Sequence, residues 1–145
     1  MKTCLYKICQ CTYGILQTVL GLLLFLIKYK KPHYNFHGAA VTEWEYGSSV
    51  SLGMFIFVSD KNKGAGESER HRRLIVHEYG HTLQSLVLGP LYLIIIGIPS
   101  FLWAAVPFFR RLRRERGISY YAFYTESWAN AWGEGAAGKK PSGDF

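Results

Sequence analysis

His77, Glu78 and His81 stand in the order H-E-x-x-H within His77-Glu78-Tyr79-Gly80-His81. On a helix, residues four apart share a face, so both imidazoles can reach one metal ion. Zinc accepts imidazole nitrogen at about 2.0–2.1 Å, and zinc sites that do chemistry use three protein ligands and keep a position for water. Glu78 follows the first ligand, where its carboxylate would stand beside that water and take its proton during attack on a carbonyl. The motif is short and arises by chance in unrelated helices, so a third ligand decides. The extended form H-E-x-x-H-x-x-G-x-x-H would need Gly at 84 and His at 87, but Gln84 and Val87 occupy them. The inverted form H-x-x-E-H is absent, and the downstream aspartate, Asp144, lies in a Gly-, Lys- and Pro-rich stretch that reads as a loose tail. Three glutamates remain. Glu115 lies inside an arginine run and reads as a charge-balancing surface residue, while Glu134 is flanked by Gly133 and Gly135. Glu126 sits in the aromatic-rich stretch from Tyr120 to Asn130, where a carboxylate wants a partner. Asn130, four residues on, shares its face and can accept the ring N–H of a metal-bound histidine.

His77-Glu-Tyr-Gly-His81 followed by Glu126-Ser-Trp-Ala-Asn130 resembles the gluzincin metalloproteases. The similarity is greatest to the membrane group of HtpX and the CaaX prenyl proteases, whose pattern is HExGH followed by ExxAD. The resemblance implies a small zincin-like core, with His77, His81 and Glu126 as Zn2+ ligands and Glu78 as general base. Asn130, which stands where the pattern has aspartate, would hold a ligand histidine without adding negative charge. The resemblance also implies an edge strand for the substrate backbone, which the strand ending at Val58 could supply.

The elements that must position these residues are legible in outline. A helix begins near Ser68 or Glu69 and runs through Leu88, and Ser119 to Trp132 reads as another. Gly133 to Phe145 reads as a loose tail. Val41 to Ser59 reads as two strands joined by a tight turn at Tyr46-Gly47-Ser48-Ser49, the second strand being Val50–Val58. Thr82 to Phe109 carries no charge and is closed by Arg110, Arg111, Arg113, Arg114 and Arg116. A single membrane crossing there would put Glu126 and the histidines on opposite sides. A re-entrant hairpin over 88–109 keeps them together, with arms Leu88–Gly97 and Ile98–Phe109 and a bend at Gly97-Ile98-Pro99. Each arm is about 15–18 Å long as a helix, roughly half the hydrocarbon thickness.

Ile8 to Ile27 is also free of charge and ends at Lys28, Lys30 and Lys31. That basic stop, with no small-residue cleavage site, predicts a retained transmembrane helix rather than a signal peptide. The basic clusters place the boundary after Ile27 and the one after Phe109 in the cytoplasm, with the segment before Ile8 outside.

With 145 residues, 49% hydrophobic, 16% aromatic and only 19% charged, the chain has single-domain size and is too apolar to be disordered. A net charge of +7 on such a chain points to membrane lipid as partner. No basic–aromatic stacking motif suggests nucleic acid. Cys4, Cys9 and Cys11 form no disulfide framework and read as small apolar residues packed in the first helix. His33, His37 and His71 read as surface or hydrogen-bonded histidines. Among Tyr120, Tyr121 and Tyr124, most read as interfacial, with Tyr124 the candidate oxyanion donor.

The sequence therefore predicts an α+β membrane protein. A transmembrane anchor (1–31) precedes a zincin-like metallopeptidase core (32–133) that includes the membrane hairpin 88–109, followed by a flexible tail (134–145). The expected activity is hydrolysis of peptide bonds in peptide or protein substrates, by zinc-activated water with Glu78 as base. The site would face the cytoplasm. The competing expectation is a membrane-anchored zinc-binding or scaffold protein without turnover.

Overall fold

The stretch after Lys31 forms a sheet against which the helix of the H-E-x-x-H motif packs. The computed structural model describes residues 3–61 and 68–137 and is α+β, with a four-stranded mixed sheet. The strands are β1 (His33–Phe36), β2 (Ala39–Trp44), β3 (Val50–Leu52) and β4 (Phe55–Ser59), in the spatial order β1-β2-β4-β3. β1 and β2 are antiparallel across a turn at His37 and Gly38, both with positive φ (48° and 97°). The simple hairpin predicted across residues 46–49 does not form. β2 and β4 run parallel, and the expected strand Val50–Val58 is folded on itself at Gly53-Met54 into the antiparallel pair β3–β4. Every residue of β4 is buried, so its unbroken apolar run belongs to an interior strand covered on both faces.

The two faces of the sheet have different covers. Ala39, Val41, Ile56 and Val58 pack with Ile75 and Tyr79 of α3 (Ser68–Leu88) and with Tyr6. On the other face Trp44, Phe55 and Phe57 pack with Leu24 and Phe25. α3 also lies along α6 (Tyr124–Ala137), as close as backbone allows. A Cβ at Gly80 would stand 1.8 Å from the Ala129 carbonyl oxygen, and one at Gly133 would stand 1.9 Å from that of Val76. The tail expected from Gly133 onward is thus a helix as far as Ala137, with Gly133 and Glu134 buried. Asp144 lies outside the described residues.

Neither apolar block is a straight rod. Ile8–Ile27, predicted as one transmembrane helix, belongs to α1 (Thr3–Thr12) and α2 (Ile15–Ile27), which meet at 100°. Among the described residues no single helix is long and apolar enough to cross a membrane. The bend lies at Tyr13-Gly14, whose amides both return to the Cys9 carbonyl. Polar side chains then turn inward from both arms. Gln10 Nε2 donates to the Thr82 carbonyl (2.9 Å), and Gln17 Nε2 donates to Ser85 Oγ and the Gly89 carbonyl (both 2.8 Å). Cys4 and Cys11 are exposed and Cys9 is half-buried, so they are not packed as expected.

The second block turns by 119° between α3 and the segment from Leu93, near Gly89-Tyr92. Gly89 takes φ +53° there, against the ring of Tyr13. The bend predicted at Gly97-Pro99 is absent. A π-helical turn, Leu93–Gly97, runs directly into α4 (Ile98–Ala105), with Pro99 in its first turn, where a missing N–H costs little. Val106 is extended and α5 (Pro107–Arg116) follows, ended by Gly117. Trp103 Nε1 donates to the Tyr120 carbonyl (2.9 Å), and its ring stacks on Phe123, holding α4 against the start of α6.

Candidate metal centre

His77 and His81 sit one turn apart on the buried face of α3, beside the Gly80 contact with α6. That contact brings Glu126, in the first turn of α6, directly opposite them. His77 Nε2 is 3.0 Å and His81 Nε2 3.4 Å from the same atom, Glu126 Oε2. The candidate ligand atoms lie within 4.8 Å of one another, and all three residues are buried. Glu115 pairs with Arg111 on the exposed side of α5, as the sequence suggests.

Each imidazole is oriented from behind. His77 Nδ1 lies 2.7 Å from Asn130 Oδ1, as expected of residue 130. His81 Nδ1 lies 2.7 Å from Gln84 Oε1, and Gln84 Nε2 donates to the Thr125 carbonyl (3.2 Å), which fixes which end of the amide meets the ring. With Nδ1–H given to an amide oxygen, a neutral ring presents a bare lone pair at Nε2. Two such lone pairs facing one carboxylate oxygen repel unless a cation, proton or metal, lies between them. This donor set of two imidazoles and a carboxylate fits a metal ion.

The charges respond accordingly. Burial would raise the Glu126 carboxyl, but hydrogen bonds from His77 and His81 outweigh it and hold the group far below the usual carboxylate range. Burial would lower the His81 imidazole, but the bond to Glu126, the nearby Glu78 charge and Gln84 together raise it above its ordinary value. Glu126 Oε1 accepts from Thr125 Oγ1 (3.1 Å) and from Ser100 Oγ of α4.

Glu78 is buried but outside the ligand cluster. Its Oε1 accepts from Ser49 Oγ (2.8 Å), just before β3. Glu78, the histidines and Glu126 all line a cavity of about 850 Å³, whose other walls include β3, Tyr92, Phe101 and Tyr121. Of the expected strand Val50–Val58, only the first part, β3, is an edge beside the site; the part ending at Val58 belongs to β4 and is interior. Tyr124 does not line this cavity; its hydroxyl donates to the Ile95 carbonyl (2.6 Å). Tyr120 and Tyr121 do line it, and burial first, then Glu78 and Glu126, pushes the Tyr121 hydroxyl up to about 12.

Gln84, Ser49 and Ser100 are the site residues that spacing did not reveal. Gln84 carried a signal, being three residues past His81 and so on its face. Ser49 and Ser100 carried none, since only the turns of the chain bring them in. Comparison with family models, with curated proteins and with solved structures finds no match for this chain.

Proposed function

We propose that this chain is a membrane-bound zinc metallopeptidase of gluzincin type, acting on peptide or protein substrates. The observation that carries the reading is the convergence of His77 and His81 Nε2 on one Glu126 oxygen, with each Nδ1 held by an amide oxygen. His77, His81 and Glu126 would hold Zn2+, a borderline-soft ion suited to imidazole and carboxylate together. When bound, Zn2+ supplies a Lewis acid and brings a water's pKa into the neutral range.

The chain's own residues supply the rest. Glu78, steadied by Ser49, is the proton acceptor and later the donor to the leaving amine. The outer edge of β3, along the cavity, offers backbone groups with which an extended peptide can pair, an arrangement that would align a scissile bond with Glu78. Tyr121, whose hydroxyl stays protonated near neutral pH, is the better oxyanion donor than Tyr124 because it lines the cavity. Exposed aliphatic residues on α2 and α4 support a place at a membrane.

Metal analysis of the purified chain tests this reading. About one zinc per chain is expected, lost in Glu126→Ala and in His77→Ala. Glu78→Gln should keep the zinc and abolish cleavage of an unstructured protein substrate. Full zinc content in Glu126→Ala would overturn the ligand set. Zinc bound without any cleavage by the parent chain would leave the non-catalytic reading, a membrane-anchored zinc-binding scaffold.

A further inference from the structure

α2 is built the reverse of a water-facing helix. It buries Gln17, Thr18 and Gly21 and exposes Ile15, Leu16, Leu22, Leu23, Leu26 and Ile27. α1 repeats the pattern in part, burying Gln10 beside the core residue Tyr6 and leaving Leu5 and Ile8 more than half exposed. The inward amides are spent on α3, through Thr82, Ser85 and Gly89, as polar side chains do between helices that face lipid. The second block behaves alike, with Ile94, Ile98, Phe101 and Phe108 exposed by 65%, 55%, 68% and 66%. The bond from Gln17 to Gly89 sets α2 beside the start of that block, and α2 alone exposes an unbroken aliphatic face from Ile15 to Ile27. Single exposed apolar residues need no explanation, but a contiguous patch marks a partner.

The chemistry of the ends says which partner. α2 runs into Lys28, Lys30 and Lys31, and the second block runs into Arg110, Arg111, Arg113, Arg114 and Arg116. Glu45 and Glu115 offset only part of that charge. An apolar face with basic margins suits acyl chains bordered by anionic headgroups. The dimensions say how deep. α2, with 13 residues, is about 20 Å long, against roughly 30 Å of bilayer hydrocarbon. A bend of 100° or 119° interrupts each block, and among the described residues no single helix is long and apolar enough to cross.

We infer that α1, α2 and the segment from Leu91 to Phe108 are embedded together in one leaflet, the anionic cytoplasmic one, and that the chain does not cross the bilayer. The inference rests on the membrane part of the proposed function and not on peptidase activity. It puts the start of α1 on the same side as Lys30, where the sequence predicts opposite sides. Because Ile98 and Phe101 also line the cavity, the bilayer would lie beside its wall.

Single-cysteine chains test it in a bacterial host. Thr3→Cys, Lys30→Cys and Arg114→Cys are each made with Cys4, Cys9 and Cys11 changed to Ser. Each is treated with a membrane-impermeant maleimide in spheroplasts and in inverted membrane vesicles. The expected result is protection of all three in spheroplasts and reaction of all three in inverted vesicles. Reaction of Thr3→Cys in spheroplasts with Lys30→Cys protected would show a crossing and overturn this inference alone. Reaction of all three in spheroplasts would overturn the leaflet assignment. Recovery of the chain in the soluble fraction, alone or as a dimer, would overturn the membrane reading as well. Leu23→Glu with Leu26→Glu, both outward-facing, should lower the membrane-bound fraction at least tenfold while zinc content is kept; an unchanged fraction would overturn the assigned face.

Discussion

His77 and His81 depend on neighbours outside the proposed ligand set. Gln84 turns His81 by its Nδ1 and is itself anchored on the Thr125 carbonyl. Gln84→Ala would leave a buried ring N–H unpaired, a loss of about 1–3 kcal/mol in stability, and should weaken zinc affinity about 10–100-fold by competition titration. Asn130→Asp adds the negative charge that the resembling pattern carries, so it should tighten zinc binding and leave the fold unchanged. The two titrating partners in the metal-free chain act in opposite directions with pH. Glu126, held low, contributes stability that is present above the ordinary carboxyl pKa and is lost as pH falls through its lowered value. His81, held high, contributes stability that is present below the ordinary imidazole pKa and is lost as pH rises through its raised value. Metal-free protein should therefore draw most from this pair between about pH 4.5 and 6.5, in denaturation followed against pH. Zinc affinity should fall as pH drops below the raised His81 value, because the ion displaces that proton. The H-E-x-x-H spacing exposed His77, Glu78 and His81 at once, and Glu126 followed from its setting among aromatics. Ser49 and Ser100 were not legible, since nothing near them in the chain marks a partner.

The contact of α3 with α6 is what turns two motifs into one site. Gly80 and Gly133 let these helices touch backbone to backbone, and the atoms a Cβ would meet are carbonyls that cannot swing away. Gly80→Ala should separate the helices, cost about 1–3 kcal/mol by overpacking, and reduce zinc binding because Glu126 retreats from both histidines. Thermal denaturation and metal content read these two effects separately. A side effect on the histidines' own spacing is not expected, since both lie on α3. The bounds of α3 agree with the sequence: the helix expected from near Ser68 or Glu69 through Leu88 runs from Ser68 to Leu88. Strand pairing leaves no comparable local mark. The run from Val50 to Val58 has the composition of one strand, and only Gly53 with φ +59° and the burial of β4 against β2 divide it. Likewise Gly97-Pro99 looked like the sharper break, but Gly89 is the residue that takes the left-handed conformation.

At the scale of the whole molecule, metal and fold are expected to be linked, because the proposed ligands join two helices through a buried contact. Zinc at a hundredfold excess over its dissociation constant would stabilise the native state by about 2.7 kcal/mol, raising Tm by roughly 5–10 °C for a chain of this size. Scanning calorimetry with and without chelator checks this, and Glu126→Ala should abolish the difference. The sequence by itself determined the chemistry available and its local phase: two imidazoles on one helical face, a carboxylate beside the first, two charge-free blocks and their basic ends. These follow from residue type and from the fixed rise and turn of the backbone. The tertiary structure decided that one oxygen of Glu126 meets both histidines, where both apolar blocks bend, and that α2 shows its leucines outward and its glutamine inward. Glu126 lies 49 positions from His77, and Gln17 lies 72 from Gly89. Contacts at such separations arise from how helices pack and satisfy buried polar groups, which no local spacing encodes.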